Sequence, residues 1–198
     1  QPMAKYENIR ALAKKQLQTV TESSDRWKEF LRTAAIAYNY SFPNQLLIYA
    51  QNPTATAVAD MDYWNKNAGR RVKRGAHGTA VFDTRANSPR LRYLFDISDT
   101  IPIHEISEAL PWAVTDQNWK PVWDKIIVDN HADSIQSALL MISTSYVAQR
   151  SAMFTTALEK AVDGSSLQWA KPNEQRRLFL QIVTQSCLYM AALRCGVD

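Results

Sequence analysis

The chain reads as an α+β protein: helices with a small antiparallel β-sheet, followed by a mainly α-helical second part. Three observations predict this. Apolar residues recur at helical spacing through the first third of the sequence. The pattern changes to a period of two between residues 70 and 96. Helical spacing then returns and holds to the end.

Over 5–21, Ile9, Leu12, Ala13, Leu17 and Val20 line one side of a lysine-rich stretch and predict an amphipathic helix. Ser23, Ser24 and Asp25 offer caps for the next helix, whose stripe is Trp27, Phe30, Leu31, Ala34, Ala35 and Tyr38. The phrase Tyr40-Ser41-Phe42-Pro43-Asn44 stops it, and Asn44 is suited to cap a helix over 45–51 that Asn52-Pro53 ends. Asp60 caps a short helix bearing Tyr63 and Trp64, which Gly69 closes as the left-handed residue beyond it.

After Gly69, Arg71-Val72-Lys73, Thr79-Ala80-Val81-Phe82 and Leu91 to Asp96 read as strands, with Asn87-Ser88-Pro89 as a turn. The expected sheet carries its basic residues on one face and on the Gly75–Gly78 turn, as a basic β-hairpin. Ile101 to Trp123 holds three prolines and three tryptophans and reads as an irregular link. Asp133 caps a helix running to about Leu158, and Gly164-Ser165-Ser166 breaks it. Pro172-Asn173 opens a last helix that ends at Gly196. Two domains are expected, 1–100 and 101–198.

Charge is distributed unevenly. From Lys66 to Arg92 there are eight lysines and arginines and one acid, Asp83, so this stretch carries +7 in a chain of net charge +4. The remainder is therefore −3, and a single element is basic rather than the protein as a whole. Cations concentrated beside Trp64, Phe82, Tyr93 and Phe95 point to a polyanion, with nucleic acid first. Gly75 and Gly78 let the backbone approach a ligand and offer N–H groups to phosphate oxygens. The alternative is a solvated surface hairpin. Among the aromatics before the turn, Tyr38 and Trp64 fall on core-facing helical positions. Tyr40 and Phe42, in the loop before Pro43, are better placed to stack on bases.

Other chemistries lack their residues. His77, His104 and His131 are far apart in sequence, and His104-Glu105-Ile106-Ser107-Glu108 has a glutamate where the second histidine of H-E-x-x-H would stand. No G-x-S-x-G, P-loop or G-x-G-x-x-G is present. Hence no catalytic residue, metal ligand or cofactor is assigned. Cys187 and Cys195, eight apart in one helix, lie about 12 Å apart along the axis. That exceeds the roughly 7 Å reach of a disulfide, and two free thiols suit a reducing compartment. No apolar run approaches the roughly 20 residues of a membrane span. Residues 1–5 lack the apolar stretch of a secretory signal. A cytoplasmic protein, or a piece of one, is expected, with no membrane partner.

Trp27-x-x-Phe30-Leu31, Tyr38-Asn39-Tyr40-Ser41-x-x-Asn44-Gln45-Leu46-Leu47-Ile48 and Gln51-x-Pro53-x-Ala55-Thr56 come in that order. They are followed by Trp64, Gly69-Arg70-x-Val72-Lys73-x-Gly75 and Gly78. Over residues 25–99 this resembles the single-stranded DNA-binding domain that opens ArdC-like antirestriction proteins and large proteins of conjugative plasmids and transposons. The resemblance implies single-stranded DNA as partner, with Asn39, Ser41, Asn44, Gln45, Arg70, Arg71, Lys73, Gly75 and Gly78 near the strand. The reading of the residues adds Tyr40, Phe42, Arg74 and His77.

Phe179 to Gly196 is similar, more weakly, to the later helix of the ArdC metallopeptidase-like domain. Gln181 and Gln185 replace its acids, which implies a metal-free remnant. The expected function is a non-catalytic single-stranded DNA-binding module of a larger mobile-element protein. Other domains of the same polypeptide, or conjugation proteins, are further expected partners. Two other classes stay open: an interaction scaffold of the conjugation machinery, and a metallopeptidase-type enzyme. A DNA-mimic antirestriction role is disfavoured, because mimicry needs an acidic surface.

Overall fold

The computed structural model describes residues 2–86, 88–103 and 114–197. The chain divides into two compact units, Gln1–Trp112 and Ala113–Asp198. His104 to Glu108 lie outside the described residues.

The first unit opens with three helices, α1 (Pro2–Val20), α2 (Ser24–Ile36) and α3 (Phe42–Gln51). Ser23 caps α2, its hydroxyl accepting from the Arg26 N–H at 3.3 Å. There follow β1 (Val58–Ala59), α4 (Met61–Lys66), β2 (Arg70–Val72), β3 (Thr79–Phe82), β4 (Leu91–Asp96), a 3-10 turn over Ile97–Asp99 and β5 (Thr100–Pro102). Asp60 caps α4 as its sequence position predicts, accepting from the Tyr63 N–H at 2.9 Å.

The α+β expectation holds: eight α-helices and small antiparallel sheets make up the described residues. Strands β3 and β4 fall where the period-two pattern places them. The pairing differs from the expected hairpin. β2 does not pair with β3; it pairs with β5, Arg71 opposite Ile101, in a sheet of its own. The three-stranded sheet has the order β1-β4-β3, with Thr79 opposite Leu94 and Phe82 opposite Leu91.

The reason lies at the outer edge of β3. Two carboxamides from α3 occupy it. Gln51 receives the Ala80 N–H at 3.0 Å and donates to the Ala80 carbonyl at 2.9 Å. Asn44 receives the Phe82 N–H at 2.9 Å and donates to the Phe82 carbonyl at 3.0 Å. Seven residues apart, two helical turns, these amides share one face of α3 and take the place of a neighbouring strand.

Leu47, Ile48, Val81 and Leu94 are fully buried and form a core with Ala13, Ala37 and Ala55. A second cluster gathers Trp64, Ala57, Ala68 and Phe95. The Trp64 indole N–H donates to the Phe95 carbonyl at 3.0 Å, so this ring is core, as its helical position predicts. Tyr38 is not core: its side chain is exposed at the end of α2. Asp96 is buried. One carboxylate oxygen accepts from the Thr56 and Ala57 N–H groups at 2.7 and 2.9 Å, the other from the Ser98 N–H at 3.0 Å.

The second unit contains α5 (Trp119–Asp129), α6 (Ile135–Gln149), α7 (Ser151–Ala161) and α8 (Pro172–Arg194). α5 falls partly in the stretch expected to be irregular. Pro121 is tolerated because it lies in the first turn, where a main-chain N–H has no intrahelical partner. The single helix expected to run to about Leu158 is two, parted at Arg150 without glycine or proline, and both pack on α8. Ile135, Leu139, Cys195 and Val197 are its buried centre, against Trp123, Ile126, Ile127 and Leu188. The Trp123 indole N–H donates to the Cys195 carbonyl at 2.8 Å. Both cysteines are free, and burial pushes their thiols up. No helix among the described residues is long and apolar enough to cross a membrane.

Candidate nucleic-acid interface

The paired strands β3 and β4 form a short ladder with two ends, and the basic stretch is shared between them. Thr79 and Leu94 mark one end, Phe82 and Leu91 the other. Three residues of strand separate them, about 10 Å. β2 and the 73–78 loop lead into the Thr79 end. Arg85, Arg90 and Arg92 belong to the Phe82 end.

At the Phe82 end the charge is largely neutralised. Arg92 and Arg85 share one Asp60 oxygen at 3.5 and 3.8 Å, and Arg85 also meets Asp83 at 3.5 Å. The hydrogen bond from the Arg85 main chain holds the Asp83 carboxyl below the ordinary range, with the Arg85 and Arg92 charges adding to it. The Arg92 guanidinium lies over the Tyr40 ring, 5.4 Å from its centre.

At the Thr79 end no ion pair joins Arg70, Arg71, Lys73 or Arg74 to a carboxylate among the described residues. Arg71 and Arg74 are exposed. Arg70 is half-buried, its Nε donating to the Thr100 hydroxyl at 2.7 Å. Lys73 donates through Nζ to the Ser98 carbonyl at 2.7 Å. His77 is exposed. Within the loop, Ala76 N–H donates to the Lys73 carbonyl at 3.2 Å, and Gly75 in the third position has φ +84°. Arg74 is not among the positive-φ residues, so Lys73–Ala76 is a type II turn, which calls for glycine at that place. Gly78 is glycine for a different reason. A Cβ there would stand 2.9 Å from Tyr93 Cβ and 3.0 Å from the Phe95 ring.

The residues expected from the α2–α3 connection lie at the other end. Asn44 is buried with both ends of its carboxamide committed to Phe82, which corrects its assignment to the strand-binding set and to the helix cap. Ser41 takes the N-cap position of α3 instead, without a side-chain cap bond. Gln45 is half-buried and donates to the Ala37 carbonyl at 3.1 Å, bracing the connection. The Tyr40 hydroxyl donates to the Val58 carbonyl at 2.9 Å. Burial pushes that hydroxyl up, with Arg92 opposing. Phe42 stands edge-on to Phe30, ring centres 5.7 Å apart, and is 43% exposed. Asn39 is exposed. The expected residues are therefore not one cluster but two, at opposite ends of the ladder.

Two residues at the loop end were not in the expected set. Tyr93 projects from β4 beside Gly78 and is 39% exposed. Lys5, from α1, places its ammonium 5.0 Å from the centre of that ring. By alternation Tyr93 shares a face with Leu91 and Phe95, so the strand pattern alone does not mark it as exposed. Nothing in the sequence could join Lys5 to it across more than eighty residues. Among the described residues, no three of His, Cys, Asp and Glu are grouped to hold a metal ion.

No protein-family model matches the chain, and neither a curated protein nor a solved structure matches it.

Proposed function

We propose that the first unit is a non-catalytic single-stranded DNA-binding module of a larger mobile-element protein, bound through the β2 strand and the 73–78 loop. One observation carries the reading. Among the described residues the cations of the loop end have no carboxylate partners, whereas two of the three at the turn end, Arg85 and Arg92, are matched to Asp60 and Asp83. Arg71 and Arg74 supply exposed positive charge, Lys5 and Lys73 add to it, and the exposed Tyr93 ring offers a face for a base. Phosphates attract such a group without regard to sequence, and a ring accepts any base. The ArdC-like phrases over residues 25–99 support the same partner, and the replaced acids Gln181 and Gln185 support a metal-free second unit. Stoichiometric zinc in the purified protein would overturn that last point.

The test is fluorescence anisotropy with labelled oligo-dT and a duplex of equal length across a salt series. Tighter binding of the single strand is expected, with a log–log slope of about −0.7 for each phosphate neutralised. Equal, salt-insensitive signals from the two would reject the reading.

A further inference from the structure

We propose that the Lys73–Gly78 loop seats a phosphate group on its main-chain N–H donors, with Arg71 and Arg74 as flanking charges. This deepens the nucleic-acid reading and rests on it for the source of the phosphate. Six N–H groups run through the loop. Lys73's is spent on the Asp99 carbonyl at 2.8 Å and Ala76's on the Lys73 carbonyl at 3.2 Å. Those of Arg74, Gly75, His77 and Gly78 have no acceptor among the described residues. Folded chains satisfy main-chain donors with protein, water or ligand, and four unspent donors in five residues form a concentrated site. No atom lies within 4 Å of the point where a Gly75 Cβ would be, so an oxyanion can reach the main chain there. The charged side chains of the loop and its flank, Arg71, Lys73 and Arg74, are cations without ion pairs among the described residues. Such a set of donors and positive charge fits the oxygens of a phosphate, a contact that positions a strand without reading its sequence.

An internal diester, a terminal monoester and inorganic phosphate share this chemistry. The experiment follows the amide resonances of the ¹⁵N-labelled chain. It titrates inorganic phosphate, then oligo-dT with and without a 5′-phosphate, against chloride at matched ionic strength. The Arg74, Gly75, His77 and Gly78 amides are expected to move together under phosphate, and those of Lys73 and Ala76 to move less. Replacing Arg71 and Arg74 by glutamine should raise the concentration needed by about two- to fivefold for each charge while the same amides respond. Gly75→Ala should remove the concerted response. Unmoved loop amides, or the same shifts with chloride, would overturn the seat. Oligo-dT that binds without moving these amides also rejects the seat but leaves the nucleic-acid reading standing. Inorganic phosphate that moves them when no oligonucleotide binds keeps the seat and rejects the nucleic-acid reading. A stronger response to the 5′-phosphorylated oligonucleotide identifies a terminal monoester, and equal responses an internal diester.

Discussion

Asn44 and Phe82, on α3 and β3, exchange a reciprocal pair of hydrogen bonds at 2.9 and 3.0 Å, side-chain amide to main chain. With the similar pair between Gln51 and Ala80, this closes the free edge of β3. The arrangement explains why β2 is left to pair with β5.

Asn44→Ala should therefore act on stability and not on binding. It leaves a half-buried N–H and carbonyl of Phe82 without partners, each costing about 1–3 kcal/mol where water cannot replace them. A loss of about 2–4 kcal/mol in urea unfolding is expected, with oligo-dT affinity of the folded fraction unchanged. A selective loss of affinity at unchanged stability would return Asn44 to the interface.

Asp96 makes the first unit sensitive to acid. Burial alone would raise its pKa, but hydrogen bonds from Ser98, Ala57 and Thr56 outweigh it and hold the carboxyl below the ordinary range. A depressed folded-state pKa contributes stability that is complete above the unfolded value, about 3.9. That contribution is lost as pH falls through the folded value. The wild-type chain should lose more stability than Asp96→Asn between pH 5 and pH 2, measured by denaturant midpoints. Parallel profiles would show that the carboxylate bears no linked proton.

The two ends of the ladder should respond differently to charge. Reversing Arg71, Lys73 and Arg74 together should abolish oligo-dT binding and leave the melting temperature nearly unchanged, since these side chains are exposed. Arg85→Gln, which removes a cation already facing Asp60 and Asp83, should change affinity by less than about twofold, the scale of a weak surface charge. A larger effect at Arg85 than at Arg74 would move the interface to the turn end.

Tyr93→Ala tests the ring beside the loop. Loss of one stacked base costs roughly 1–3 kcal/mol of binding, with little change in the salt slope because no phosphate contact is removed. A changed slope at unchanged low-salt affinity would contradict a stacking role.

Gly75 and Gly78 separate two reasons for glycine. Alanine at Gly75 meets no neighbour but must hold φ +84°, at a cost of about 1–2 kcal/mol. Asparagine, which tolerates left-handed backbone, should recover most of that stability. At Gly78 any Cβ collides with Tyr93 and Phe95, so asparagine should be no better than alanine in thermal unfolding. Recovery at both positions would mean that backbone conformation alone explains them.

The sequence by itself determined the elements whose causes are local. Helical periodicity placed α1 to α3 and α8, Asp60 announced the start of α4, and alternation placed β3 and β4. Trp64 was legible as core from its helical position, and the run of cations from Lys66 to Arg92 was plain. Only the tertiary structure decided which partners these residues have. Asn44 and Gln51 claimed the edge of β3 and sent β2 to β5. Asp60 and Asp83 paired with Arg85 and Arg92 of the basic stretch, and Lys5 reached Tyr93 from the first helix. Periodicity records which way a side chain faces along its own element. A hydrogen bond or ion pair between distant positions depends on how the elements pack, which no local spacing carries.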